Sequence, residues 1–355
     1  MGVVKFLYHP DTVLTASDLE NLALGLLSEI PIPGVEDCAF DSGIIHDTLL
    51  HAAVEQDFIK AITDATRNTN SDDYTLTQLH TIDPTELGEI VNRLPAEQAT
   101  MILGPLPRII CLDFIDIHYH GCPYYDPAEL CHTTPRDGTS QCHRYLAAIT
   151  LCPAKPLIVA VTPVRSDEPT SDAVDRVIDR FTALPFEVDA VLADRGFANA
   201  ASIQRLQTTS PVILPVIRRG KRLAEKLETR VSYWTEYVMY AGSEPPVRFP
   251  LAVCVFYQQE KRGKHLVRAY AACEQGARTP KEVERLYRKR SAIETSFRTM
   301  QEARARTTTP DPVWFRFKVF RRWIAHSLDE RFGRLWEAPT NGVGIPSTYP
   351  ELDAG

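Results

Sequence analysis

The chain has 355 residues, 44% of them hydrophobic and 24% charged, which gives room for a sizeable core in two or three structural units and excludes a disordered chain. No apolar run approaches the length of a membrane span and residues 1–10 carry no secretory pattern, so a cytoplasmic protein with no membrane partner is expected. The net charge of −7 is unevenly spread: residues 1–100 hold 4 Lys and Arg against 17 Asp and Glu, whereas residues 278–322 hold 13 against 5.

In chain order, the spacing of apolar residues predicts amphipathic helices at Asp18 to Ser28, Ile45 to Thr66 and Pro84 to Gln98. Ile30-Pro31-Ile32-Pro33-Gly34 and Asn68 to Asp73 read as linkers. Two apolar runs then end in aspartate: Arg108 to Phe114, which contains Asp113, and Val188 to Asp194, followed by Arg195-Gly196-Phe197. Between them lie strands at Arg144 to Leu151 and Pro156 to Val164. A helix follows at about Asp172 to Ala183, with Ser171 as its cap. A helix from about Asn199 to Gln207 and a strand at Val212 to Val216 come next. The order is β-β-β-α-β-α-β, with an aspartate on the first strand and another on the fourth, which is the order of a ribonuclease H-like core. Tyr233 to Tyr240, Phe249 to Tyr257 and His265 to Cys273 are aromatic and β-branched and read as three further strands. The expected fold is α/β: a ribonuclease H-like mixed sheet with a β-rich insertion at about 225–275 and a helical N-terminal region. Residues 1–100 would form that helical region, 101–325 the catalytic domain, and 326–355 an irregular tail.

Thr279-Pro280-Lys281-Glu282 has the form of a capping box with proline at the first helical position. From there Val283, Leu286, Ile293, Phe297 and Met300 recur at helical spacing, and Tyr287, Arg290, Glu294 and Gln301 follow a neighbouring stripe. Three carboxylates brought together from distant sequence, Asp113, Asp194 and Glu294, could hold two divalent ions. Asp116 is the alternative first ligand, since strand ends are easily misplaced by a few residues. The eight cysteines include no Cys-x-x-Cys pair, so reduced, buried thiols are expected rather than a zinc site formed by Cys122, Cys131-His132 and Cys142-His143 with His118 and His120. Trp234 reads as a core residue, with stacking on a flipped base as the alternative.

Leu112-Asp113-Phe114, Asp194-Arg195-Gly196-Phe197 and Tyr287-x-x-Arg290-x-x-x-Glu294 together resemble the DDE transposases of bacterial and archaeal insertion sequences. The likeness is to the subgroup with a β-rich insertion before the glutamate helix, and it covers roughly residues 105 to 325. It implies metal-dependent cleavage and strand transfer of DNA, with Asp113, Asp194 and Glu294 as catalytic metal ligands for two Mg²⁺ or Mn²⁺ ions. It further implies contacts to transposon-end and target DNA through Tyr287, Arg290, Arg298, Gln301, Arg304 and Arg306, and a homodimer assembled on DNA. The N-terminal region would bind DNA ends or dimerise. Two features depart from the family pattern. Gln301 stands where the subgroup carries lysine, and the segment after Ile324 is polar, then rich in Pro and Gly. They leave open a transposase-derived DNA-binding protein without catalysis; a ribonuclease H-like nuclease without strand transfer is the other alternative.

Overall fold

The computed structural model describes residues 16–33, 42–55, 58–66, 70–103, 108–121, 126–136, 138–151, 157–241, 244–257, 265–272 and 278–291. Five helices come first: α1 (Ala16–Leu27), α2 (Ser42–Val54), α3 (Ile59–Ala65), α4 (Asp72–His80) and α5 (Pro84–Leu103). The helix expected over Ile45 to Thr66 is thus two helices. Part of the expected linker at Asn68 to Asp73 starts a helix, because the Ser71 hydroxyl accepts from Tyr74 N–H and caps α4. Asp83 does the same for α5, accepting from Thr85 and Glu86, with Pro84 at the first helical position.

The strands are β1 (Arg108–His118), β2 (Cys131–Arg136), β3 (Thr139–Leu151) and β4 (Leu157–Val164). Helix α6 (Thr170–Thr182) leads to β5 (Val188–Ala193), then α7 (Ala200–Gln207) and β6 (Val212–Pro215). After α8 (Lys221–Leu227) come β7 (Tyr233–Ala241), β8 (Glu244–Tyr257), β9 (His265–Ala272) and α9 (Pro280–Arg288). All nine strands form one sheet in the order β2-β3-β1-β5-β6-β9-β8-β7, with β4 also paired to β3. Strands β1, β5 and β6 are parallel, while β3 and β9 run antiparallel to their neighbours β1 and β6. The three strands of the insertion therefore extend the central sheet. Strand β2 was not foreseen and β3 starts earlier than expected. The α6 cap also differs from expectation: Pro169 is at the N-cap without a side-chain bond, and Ser171 lies inside the helix, bonded to Asp172.

The two faces of the sheet carry separate apolar cores. Along β1, Cys111, Ile115 and Ile117 face one side, together with α5 and residues of the other N-terminal helices and of α9. Ile110 and Leu112 face the other side, against α6 and α7. Helix α6 buries Ala173, Val174, Val177, Ile178 and Phe181, one stripe at helical spacing. Strand β5 is buried from Ala190 to Ala193, the continuous apolar run of a strand covered on both faces. Strand β4 pairs with β3 on one side, and α5 covers its other edge. There Asn92 Oδ1 accepts from Val161 N–H at 2.7 Å while its Nδ2 donates to Gly88 O at 2.8 Å. A free strand edge invites pairing with another chain, and this side-chain amide closes it. No helix among the described residues is long and apolar enough to cross a membrane.

Replacing Asn92 with Leu leaves the Val161 N–H buried without an acceptor. The expected loss of stability is about 1–3 kcal/mol, read as a lower midpoint in urea denaturation.

Candidate active site

Asp113 and Asp194 reach the same place from adjacent strands. Strands β1 and β5 are parallel with Leu112 opposite Ala193, so the next residue on each is the aspartate. Side chains alternate along a strand, which puts Asp113 on the face of Cys111 and Asp194 on the face of Leu192. Both of those neighbours belong to the core beneath α9. The turn after β5 is a short 3₁₀ segment, Arg195–Phe197, in which Phe197 N–H bonds back to Asp194 O at 3.1 Å. Fully buried Phe197 stacks on Phe114 with ring centroids 4.7 Å apart and planes 8° apart. The aromatic residue of the Asp-Arg-Gly-Phe motif thus pins the turn to β1 and fixes Asp194 beside Asp113.

Asp116 lies three residues from Asp113 and so points to the opposite face. It is already engaged: Arg144 Nε and Nη2 bond it at 2.7 and 2.8 Å, and Thr133 donates a third bond at 2.8 Å. The Arg144 guanidinium also lies 5.5 Å from the Phe114 ring centroid. Burial acts to raise the Asp116 pKa, but the bonds from Arg144 and Thr133 outweigh it and hold the carboxyl below its ordinary value. Asp116 is thus a brace beneath the site, clamping β3 and the Phe114–Phe197 stack.

Helix α9 brings the remaining groups. Its capping box forms in full, Thr279 and Glu282 satisfying each other's backbone N–H groups. Val283 and Leu286 are buried as the periodicity predicts. The regular helix runs to Arg288, Lys289 and Arg290 form a turn and Ser291 is again helical, while the rest of the long helix expected lies outside the described residues. Lys289 N–H bonds to Leu286 O and Arg290 N–H to Tyr287 O, both three residues back, which tightens the last turn into 3₁₀ geometry. Arg290 is thereby aimed across the sheet at β1, where its Nη2 meets Asp113 Oδ2 at 2.7 Å with side-chain exposures of 10% and 17%. Burial opposes the guanidinium charge, and Asp113, Tyr287 and Asp194 more than compensate, raising its pKa. Its Nε is buried without a hydrogen-bond partner among the described residues. Tyr287 packs on Tyr270 with centroids 5.1 Å apart and lies within electrostatic reach of Asp194 and Arg195. Burial pushes its hydroxyl up to about 12, so it keeps its proton at neutral pH.

Four of the expected site residues, Asp113, Asp194, Tyr287 and Arg290, therefore gather on one face of the sheet, where β5 ends beside the middle of β1. The strand end expected at Asp113 lies instead at His118, because β1 goes on pairing with β3. Glu294, Arg298, Gln301, Arg304 and Arg306 lie outside the described residues. The other expectations resolve locally. Cys131 and Cys142 are buried thiols that donate to backbone carbonyls, and Trp234 donates from Nε1 to Arg278 O at 3.1 Å while packing on the core. Among the described residues, the clustered donors Glu20, Asp47 and His51 belong to α1 and α2 and include neither Asp113 nor Asp194. A cavity bounded by His143, Arg144, Arg165, Glu168 and Arg176 sits at the outer edge of β3, where β2 gives way to β4. Its arginines are held by Asp116, Asp126, Asp167 and Glu168. Sequence reasoning missed Glu284, a carboxylate buried on α9; its signal was an i,i+4 pairing with Arg288, which reads as surface chemistry.

Among the described residues, a nine-stranded mixed sheet with helices on both faces, in which Asp113 within β1 and Asp194 just past the end of β5 are carried by adjacent parallel strands, is a ribonuclease H-like fold. Residues 105–317 match the transposase DDE domain family, more than half of the chain, and the chain belongs to that family. Among solved structures, a piggyBac transposase synaptic complex with hairpin DNA shares the fold, with a TM-score of 0.52 over 89% of this chain and 72% of that one at 10% identity. No curated protein matches the sequence.

Two tests follow from the geometry. Arg290→Met removes the partner of a mostly buried carboxylate and should cost about 3–5 kcal/mol in chemical denaturation. Asp116 has a depressed pKa in the folded state, so its contribution is present above the unfolded value of about 3.9 and is lost as pH falls through the folded value. Asp116→Asn should therefore flatten the acid limb of stability below about pH 4, as measured by urea titrations at a series of pH values.

Proposed function

We propose that the chain is an insertion-sequence transposase that cuts DNA at transposon ends and joins them to a target. The observation that carries this reading is the pairing of Asp113, in the middle of β1, with Asp194, just past the end of the adjacent parallel strand β5, on the face that α9 covers. Helix α9 leads directly toward Glu294, and these three carboxylates would hold Mg²⁺ or Mn²⁺. Oxygen donors suit such hard cations, and the ion pair of Asp113 with Arg290 marks a point where positive charge is already required. Two such ions, when bound, supply an activated attacking oxygen and charge stabilisation for the leaving 3′-oxygen.

The chain's own groups do the rest. Arg290 holds Asp113 in position and presents a buried guanidinium to a phosphate beside Asp113 and Asp194. Tyr287, still protonated, can donate a hydrogen bond to a phosphate oxygen. Arg298, Gln301, Arg304 and Arg306 extend the DNA-binding surface beyond Arg290, in the basic stretch of residues 278–322. Two copies would assemble on paired ends. The helices of residues 1–100 share an apolar core with the sheet and are acidic, which favours a role in packing or dimerisation over nonspecific DNA contact. Gln301 supports a second reading, a DNA-binding descendant without catalysis, since a family cation is missing there.

Asp194→Asn and Glu294→Gln separate the two. Each should abolish Mg²⁺-dependent cleavage of terminal-repeat DNA while leaving affinity in chelator nearly unchanged, because phosphate contacts come mostly from Arg and Lys. A wild-type chain that cleaves no end-bearing DNA, and behaves like Glu294→Gln, would replace the transposase by the DNA-binding descendant. Inverted repeats bordering the gene would support the insertion-sequence assignment.

A further inference from the structure

Glu284 lies in the middle of α9 with its side chain 4% exposed, and it holds two arginines. Arg268 Nη1, from β9, bonds its Oε1 at 2.7 Å, and Arg288 Nε, one helical turn on, bonds the same oxygen at 2.6 Å. Both guanidiniums also lie over the ring of Phe256 on β8, 5.9 and 5.8 Å from its centroid. One carboxylate needs one cation for neutrality, so the cluster carries a surplus positive charge. Its arginines are 40% and 62% exposed, and both Nη groups of Arg288 have no partner among the described residues. A guanidinium offers five donors in a rigid fork, the shape that grips a phosphate oxygen pair.

Stability alone does not account for this arrangement. Burying a carboxylate is costly, and an apolar side chain at the same place is commonly as stable or more so. What Glu284 achieves is orientation: two long, flexible and partly exposed side chains are held over one ring. The other carboxylate of α9, Glu282, is occupied by the capping box, while Lys281, Arg285 and Lys289 are exposed on the same helix.

The cluster shares the face of the candidate active site. Tyr270 and Phe256 belong with Asp113's neighbour Cys111 to the core beneath α9, and alternation along β9 puts Arg268 on the side of Tyr270. Tyr270 packs against Tyr287 with the rings tilted, and Tyr287 in turn lies near Arg290 and Asp194. Three strand spacings separate β9 from β1 across β6 and β5, roughly 15 Å. That is about four nucleotide steps along a duplex axis.

We propose that Arg268 and Arg288, positioned by Glu284 against Phe256, form a phosphate clamp that holds a DNA strand several nucleotides from Asp113 and Asp194. The clamp rests on the reading that the chain acts on DNA. It binds backbone rather than bases, so it sets the path of the strand across the insertion and not the sequence recognised.

The test is binding of the full chain to a short fluorescent duplex of arbitrary sequence, in chelator, over a range of salt. The double variant R268Q/R288Q should reduce the slope of log affinity against log salt by about two, close to one for each lost phosphate contact. Glu284→Gln gives the sharper contrast. If the carboxylate only added charge, removing it would strengthen DNA binding; as a positioning residue, its loss should weaken binding several-fold. R268K/R288K keeps the charges and the ion pairs, and so the fold, but loses the forks, and it should bind more weakly than wild type. Thermal unfolding of each variant checks that it is folded. An unchanged slope in R268Q/R288Q, tighter binding by Glu284→Gln, or wild-type affinity in R268K/R288K would overturn the clamp while leaving the transposase reading intact. Failure of the wild-type chain to bind any duplex at low salt would overturn that reading itself, and the clamp with it.

Discussion

The ion pair between Arg290 and Asp113 joins the last described turn of the chain to the first strand of its sheet. Much of the architecture can be understood as what this contact requires. A guanidinium that is mostly out of water is tolerable only against a fixed opposite charge. Helix α9 supplies the fixity by crossing the sheet: Pro280 O accepts from Cys254 on β8, Glu284 bonds Arg268 on β9, Tyr287 meets Tyr270, and Arg290 reaches β1. The insertion strands therefore do more than decorate the core. They are the bed on which α9 lies, and without them the helix would have no defined angle of approach to Asp113.

The opposite face of β1 carries the complementary half of the design. Phe114 and Asp116 point away from Asp113 into a rigid assembly of stacked rings and a doubly bonded arginine. Through Phe197 that assembly controls the turn on which Asp194 sits. One strand thus uses its two-residue alternation to separate the reactive carboxylate from the groups that brace it.

Much of this was legible in sequence. Apolar runs leading to Asp113 and Asp194 gave the two central parallel strands because buried strands read as continuous apolar segments, but β1 does not end at Asp113: pairing with β3 carries it on to His118. The capping box at Thr279 fixed the start of α9 because its partners are local. What failed were features decided by distant residues. Strand β2 is mostly exposed and includes Pro135, so it has no apolar alternation and exists by pairing with β3. The tightening of α9 at Lys289 and Arg290 has no local signature, since nothing there breaks a helix by composition; the site it faces lies on β1. Glu284 looked like one end of a surface ion pair, and only the approach of β9 makes it buried. Residues from Ala292 onward, with Glu294, remain readable as sequence alone.

The path of α9 also has a meaning in time. Asp113 belongs to the first strand of the sheet, and the helix that completes its surroundings is made only after eight further strands. At ordinary rates of synthesis, Arg290 follows Asp113 by on the order of ten seconds or more. During that interval Asp113 and Asp194 lack the helix that pairs with them, and the growing chain carries the parts of a site without its arrangement. The site thus comes together only after the insertion has been made and its bed can receive the helix.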